Sequence, residues 1–125
     1  MKILLFAIFI YHPLQSYGTD LQAIIKAIGD GDATTLGNYF DEEVAITLLD
    51  KEGLYNKAAA IKAVSGFFAR HKPNTFVQVH EGASKEGNAR YFIGDLSTAS
   101  GNFRVYLYLK VSDGRTLIQE LRFDS

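Results

Sequence analysis

The sequence contains no cysteine, no tryptophan and only two prolines in 125 residues. The absence of cysteine excludes disulfide bonds, thiol catalysis, thiolate metal sites and the acylated cysteine of a lipoprotein. Acidic and basic residues nearly balance, 14 against 13, and no basic block occurs. Nucleic acid and anionic membrane surfaces are bound through such blocks, so neither partner is expected. Because the chain has no cysteine, the fold must be held together by packing alone.

The N-terminal segment 1–18 has the layout of a secretory signal peptide. Lys2 gives a positive start, residues 3–11 form an apolar run, and Ser16 and Gly18 are small residues where a signal peptidase reads. The alternative is a membrane anchor, but the run is about half of the roughly 20 residues that a spanning helix needs. We therefore expect cleavage after Gly18 and export to the periplasm or the medium.

Residues 19–125 are enough for a single domain with one core that needs no disulfide. Helices are predicted to begin at Thr19, in a capping box, at Asp32 and at Asn56, with a strand over 44–49 and a turn over 50–53 between the last two. Glycine-containing turns then separate the four strands of a meander, roughly 75–84, 88–98, 102–112 and 115–124.

Strand alternation divides the side chains of the meander between two faces. Simple hairpins place Leu96 opposite Val105, and a three-residue turn over 113–115 sets the last strand. The face toward the helices is then apolar and comprises Val77, Val79, Ala83, Phe92, Gly94, Leu96, Phe103, Val105, Leu107, Leu109, Val111, Leu117, Leu121 and Phe123. The other face is mixed and comprises Phe76, Gln78, His80, Tyr91, Ile93, Asp95, Arg104, Tyr106, Tyr108, Lys110, Glu120 and Arg122.

His80 is the residue with the most evident chemical potential. Alternation places it on the mixed face, opposite Ile93 and near Asp95 and Tyr106. A histidine beside a carboxylate and a tyrosine can transfer protons, but a hydrogen-bonded histidine in a wet interface is more common. The histidines lack the spacing of a metal site, so neither a metal nor another cofactor is expected.

Several strings in the sequence resemble a known family. They are GDATTLGNYF at 31–40, TFVQVHEGAS at 75–84, YFIGDLSTASGNFRVYLYLK at 91–110 and LIQELRF at 117–123. Together they resemble small exported bacterial proteins known as domain of unknown function 4783, within the nuclear transport factor two-like, cystatin-like superfamily. The resemblance implies an α+β cone, in which about three N-terminal helices pack on a bent, mostly antiparallel sheet that ends in a four-strand meander. It implies no reaction, because one fold hosts many functions.

An enzyme of this fold would need acid and base groups facing its pocket. The predicted inward face offers only Glu81, Arg90 and Gln119 as polar groups, without a pair of acids. We therefore favour a non-enzymatic binding or homodimerisation module. The alternative is a pocket enzyme of the isomerase, dehydratase or hydrolase type that uses His80, Asp95 and Tyr106.

Two kinds of binding site are compatible with the sequence. A small apolar ligand could lie between the third helix and the sheet, although a filled core would use the same residues, Phe40, Phe68, Phe92 and Leu107. The mixed face could instead form a two-fold homodimer, since tyrosine and arginine are enriched in interfaces; its alternative is a solvated face. The predicted interface residues are His80, Tyr91, Asp95, Arg104, Tyr106, Tyr108 and Arg122.

Overall fold

The computed structural model of the chain describes residues 13–125, with side chains from Tyr17 onward. The apolar run of residues 3–11 lies outside this part, and cleavage after Gly18 stays a prediction. Within residues 13–125, no helix combines the length and apolarity that crossing a bilayer requires. The elements are α1 (Pro13–Asp30), α2 (Ala33–Gly37), β1 (Phe40–Leu48), β2 (Lys51–Asn56), α3 (Lys57–Arg70), β3 (Pro73–Ala83), β4 (Ala89–Thr98), β5 (Gly101–Ser112) and β6 (Arg115–Asp124).

The six strands form one sheet in the order β2-β1-β6-β5-β4-β3. Only the β1–β6 pair is parallel, and the other neighbouring pairs are antiparallel. Three helices and a mostly antiparallel sheet with a four-strand meander confirm the predicted α+β architecture. The strand β2 was not predicted, because Lys51–Asn56 contains only Leu54 and Tyr55 as large apolar residues. In place of the expected turn over 50–53, Leu49 and Asp50 form a two-residue turn between β1 and β2, with Leu49 in the left-handed region at φ 62°.

Two of the three predicted helix caps are confirmed. The Asp32 carboxylate accepts a hydrogen bond from the backbone N–H of Thr35 at 3.1 Å, and the Asn56 side chain accepts one from Ala59 at 2.8 Å. Each bond satisfies one of the N–H groups that the first turn of a helix leaves without a partner.

The predicted cap at Thr19 is wrong, because Thr19 lies inside α1, which is already helical at Pro13. The apolar stripe of α1 also extends backward: Tyr17 is buried one helical turn before Leu21. The helix therefore packs on the core through a longer stripe than the sequence prediction gave it.

The core lies between the inner face of the sheet and the helices. The Phe67 ring of α3 lies 4.4 Å from the Phe123 ring of β6 and 5.3 Å from the Phe103 ring of β5, centroid to centroid. Burial of each such side chain contributes about 1.5–3 kcal/mol. The largest fully buried side chains are Phe40, Phe67, Phe92, Phe123, Ile24, Ile28, Leu36, Ile46, Leu96, Leu107, Leu109 and Ile118.

The predicted register of β4 and β5 is wrong by two residues. Leu96 pairs with Phe103 rather than Val105, because Ala99-Ser100 forms a two-residue turn closed by Thr98 and Gly101. An even shift leaves every side chain on its predicted face.

The last hairpin is also tighter than predicted. Asp113 and Gly114 form a two-residue turn with both φ angles positive, at 51° and 73°. A bulge between the pairings of Tyr108 and Leu109 then restores the face of the following residues. As a result Leu121 and Phe123 are buried as expected, but Leu117 lies opposite Lys110 on the other face. Its place in the core is taken by the adjacent residue, Ile118.

β3 departs most from the prediction. A bulge between Gln78 and His80 reverses the alternation of its first half. Phe76 and Gln78 therefore lie on the inner side, opposite Leu96 and Gly94, whereas Val77 and Val79 are exposed rather than core residues. The bulge lets the Phe76 ring pack against Phe92, with centroids 5.8 Å apart. Past the bulge the predicted faces hold.

Candidate functional site on the outer face of the sheet

Within residues 13–125, the helices cover only the inner face of the sheet. The opposite side, here called the outer face, carries aligned side chains of β3 to β6. Cross-strand neighbours on one face are close enough to interact. Three rows run across it: Gly82–Tyr91–Tyr108–Glu120, His80–Ile93–Tyr106–Arg122 and Val77–Asp95–Arg104–Asp124. Tyrosines and arginines thus occupy the middle of the sheet rather than its margins.

Aromatic stacking orders the first two rows. The Tyr91 ring lies over Gly82, where a Cβ atom would collide with it, and its centroid is 5.6 Å from that of His80. The Arg122 guanidinium carbon lies 4.6 Å from the centre of the Tyr106 ring. Such a cation–π contact is worth about 0.5–1 kcal/mol at an exposed site and more when a partner removes water from it. The rings are therefore held in place yet remain accessible.

Charges of both signs alternate on the outer face. Arg104 Nε lies 2.6 Å from an Asp95 oxygen, and Arg122 Nε lies 3.3 Å from an Asp124 oxygen. Both pairs are roughly half exposed, so each contributes about 0–1 kcal/mol to stability. Five carboxylates (Asp95, Glu120 and Asp124, with Glu43 of β1 and Glu52 of β2) stand against four bases (Arg104, Lys110, Arg115 and Arg122), so the charges of the face nearly balance.

The outer face is concave at two adjoining places. A groove of about 210 Å³ lies among Tyr91, Ile93, Tyr106, Tyr108, Glu120 and Arg122. A more polar hollow of about 560 Å³ lies between Asp95, Arg104 and Asp124. Apolar side chains also project here: Leu54 is 66% exposed, and Tyr91 and Tyr108 are 41% and 42% exposed. The face therefore combines shape, aromatic surface and paired charge.

The structure places all seven predicted interface residues on the outer face. It also puts His80 opposite Ile93, as predicted. Pairing with a second molecule stays a prediction.

The three residues of the enzymatic alternative do not converge. Ile93 separates His80 from Tyr106, so the two residues lie two strand spacings apart, about 10 Å. Asp95 lies in the neighbouring row and pairs with Arg104 instead. A base must reach its partner within about 3.2 Å to share a proton. The described residues also include no group of three His, Asp or Glu side chains placed to hold a metal ion.

The predicted ligand-binding residues all lie in the packed core. Phe40, Phe68, Phe92 and Leu107 are each 5% exposed or less. The space above Gly94, which has no side chain, is occupied by the Phe76 ring. These residues have the filled-core arrangement that the sequence left open, and ligand binding by them stays a prediction.

Sequence reasoning missed a polar cluster on the inner side, formed by Tyr17, Glu81 and Arg90. The Tyr17 hydroxyl donates to Glu81 Oε2 at 3.1 Å, and the Arg90 guanidinium carbon lies 4.6 Å from the centre of the Tyr17 ring. Burial, and secondarily the Glu81 charge, raises the pKa of Tyr17 to about 12. Two signals in the sequence pointed to this cluster. Alternation placed Glu81 and Arg90 on the inward face, and Tyr17 lies one helical turn before Leu21, on the same apolar stripe of α1.

The remaining inward polar residue, Gln119, has a structural role. Its side-chain amide donates to Asp41 at 3.2 Å. This hydrogen bond is the main cause that holds the pKa of Asp41 below its ordinary value. The pair links β6 to β1 next to the bulge.

The cone of helices on a curved sheet is the fold of nuclear transport factor two-like proteins. A protein of that class and of unknown function from Shewanella baltica has a TM-score of 0.65 at 13% identity, over 88% of this chain and 90% of that one. At that identity the likeness shows the fold alone. No curated protein sequence matches the chain.

The chain belongs to the family described as domain of unknown function DUF4783, whose pattern matches residues 21–124. Crystal structures of two members are similar to it. The protein from Bacteroides uniformis is 28% identical with a TM-score of 0.78, over 83% of this chain and 94% of that one. The protein from Bacteroides ovatus is 29% identical with a TM-score of 0.77, over 82% and 92%.

Proposed function

We propose that the protein is a non-enzymatic module that forms a two-fold homodimer through the outer face of its sheet. The observation that supports this most directly is the row of Ile93, Tyr106 and Arg122, at the centre of a face that no helix of residues 13–125 covers. Aromatic residues and arginine are the residue types that interface centres enrich.

The charges of the outer face favour a second copy as the occupant. A two-fold axis brings the same surface of both protomers together, so a face of one sign would repel itself. Here carboxylates and bases are mixed in nearly equal numbers, and a rotated copy can set its acids against the partner's bases. A strongly charged partner would find no complementary field on this face.

The size of the face is also sufficient. Six strands at ~4.8 Å and about seven residues at ~3.3 Å give a projected area of roughly 700 Å². A stable interface typically buries about 800 Å² of accessible surface on each partner, and accessible surface exceeds its projection. The outer face alone can therefore supply a dimer contact of ordinary size.

The proposal is tested by Tyr106→Glu. In the monomer the new carboxylate lies beside Arg122 and remains hydrated, so the fold is expected to persist. In the dimer it would be buried at the centre of the interface, which costs about 3 kcal/mol or more and weakens association at least 100-fold. Native mass spectrometry and light scattering should show a dimer for the natural sequence and a monomer for the variant.

The matched control is Ser65→Glu on the exposed side of α3, which adds the same charge away from the outer face. This variant should remain a dimer with unchanged circular dichroism. A natural chain that is monomeric at tens of micromolar, or a Tyr106→Glu variant that stays dimeric, contradicts the proposal.

A further inference from the structure

The Tyr17–Glu81–Arg90 cluster joins three elements on the side of the sheet opposite the proposed dimer contact. Tyr17 comes from α1, Glu81 from β3 and Arg90 from β4. The Tyr17 side chain is 8% exposed, whereas the Glu81 carboxylate lies at the rim. The phenol thus inserts from the helix into a slot at the margin of the core.

The slot is polar, whereas most of the buried side chains around it are apolar. Within residues 17–125, Glu81 and Arg90 form no ion pair with each other, and both instead contact Tyr17. The buried Nε atom of Arg90 has no hydrogen-bond partner in the described part of the chain. A buried donor without a partner is costly, so packing alone does not explain a guanidinium here.

The two groups recognise different parts of one kind of ring. A carboxylate accepts a hydrogen bond from a phenolic hydroxyl, and such charge-assisted bonds are roughly twice as strong as neutral ones. A guanidinium lies favourably over the face of an aromatic ring. The Gln78 amide donates to the second Glu81 oxygen at 3.3 Å and so helps to orient the carboxylate.

We propose that Glu81 and Arg90 form a binding slot for a small phenolic molecule, and that Tyr17 occupies this slot in the full chain as an internal ligand. Cleavage after Gly18, which the sequence predicts, would remove Tyr17 and leave the slot open. The slot lies on the inner side, so this proposal does not depend on the dimer.

The test uses the full chain with Tyr17→Ala, because alanine keeps the helix and empties the slot. The probe is p-cresol, which is the tyrosine side chain as a free molecule, and toluene is the matched control that lacks only the hydroxyl. Chemical-shift titration should show saturable p-cresol binding to the variant and none to the natural chain. Toluene should bind at least about tenfold more weakly, because it leaves Glu81 without the hydroxyl.

A second variant tests whether p-cresol binds through its hydroxyl group or only fills a nonspecific cavity. Adding Glu81→Gln to Tyr17→Ala should reduce the preference for p-cresol over toluene to within about threefold. Equal affinities for the two probes in the Tyr17→Ala chain, or binding of neither, would overturn the proposal.

The test also holds if Tyr17→Ala unfolds the chain, which circular dichroism would reveal. A ligand that binds only the folded state restores folding by mass action. We then expect p-cresol to recover the folded spectrum and toluene at the same concentration to fail. Failure of p-cresol to do so would count against the slot.

Discussion

Two opposing effects determine how Gly94→Ala changes the free energy of unfolding. Gly94 is not among the glycines with positive φ, so its backbone conformation suits alanine. On backbone entropy alone, alanine would stabilise the fold by about 0.5–1 kcal/mol. However, an added Cβ would lie 2.5 Å and 2.6 Å from two ring carbons of Phe76 and 2.9 Å from the Val77 carbonyl oxygen.

The magnitude follows from the overlap. Carbon atoms prefer separations of about 3.5–4.0 Å, so the new methyl group would be roughly 1 Å too close to the ring. Overpacking of a filled core costs about 1–3 kcal/mol. The Phe76 ring can swing aside only by leaving Phe92, and the Val77 carbonyl belongs to the paired backbone. We expect a net loss of about 1.5 kcal/mol, which lowers the melting temperature by roughly 6 °C.

The assay is urea unfolding followed by far-ultraviolet circular dichroism, since the chain has no tryptophan to report by fluorescence. Protomer concentration is held constant, because dimerisation would couple to unfolding. The control is Gly66→Ala in α3, where only the Arg70 Nη1 atom comes near the new Cβ, at 3.4 Å. A helix-interior alanine should stabilise by about 0.5–1 kcal/mol, the opposite sign to Gly94→Ala.

A double-mutant cycle identifies the obstacle. In a Phe76→Ala background the ring is gone, so Gly94→Ala should cost less than in the natural chain, with a coupling energy of at least about 0.5 kcal/mol. Stability of Gly94→Ala equal to or above that of the natural chain would refute the packing argument.

The remaining predictions concern Tyr17. The Tyr17 phenol should ionise only near pH 12, and Tyr17→Phe should abolish that phase in the phenolate absorbance. The folded state keeps the Tyr17 proton at pH values where the unfolded state has released it, from about pH 10 upward. The free energy of unfolding should therefore fall as pH rises from about 10 to 12. A titration in which every tyrosine ionises near its ordinary pKa of 10.0 contradicts the geometry. Intact mass of the exported protein should correspond to a chain that begins at Thr19, and a mass that includes Tyr17 would refute cleavage after Gly18.

The sequence was sufficient to place most of the outer face, including His80. Alternation counted from a glycine-containing turn is reliable near that turn, and His80 lies close to the β3–β4 turn. The error in register at Leu96 was harmless because a two-residue shift preserves the face. Asp32 and Asn56 were identifiable as caps because their side chains act within three residues, independently of the rest of the fold.

The bulges could not be predicted from local sequence. In β3 the pattern of Val77, Gln78 and Val79 fits regular alternation well, yet it is overruled by a contact across the sheet between Phe76 and the bare backbone of Gly94. In β6 the same applies to Leu117 and Ile118, either of which is apolar enough for the core. Tertiary packing decides between such alternatives. The one sequence signal for the β3 bulge is a large aromatic residue, Phe76, near a glycine, Gly94, on the neighbouring strand.

The position of β6 has a consequence for the order of assembly during synthesis. The last strand of the chain lies third in the sheet, between β1 from the first half and β5 from the second. Until Arg115–Asp124 has left the ribosome, the β1–β2 hairpin and the β3–β5 meander have no strand to join them. Such long-range pairing is slow. The chain therefore closes its sheet only after β6 has emerged, and a ribosome-bound fragment without these residues holds two incomplete sheets with exposed edges.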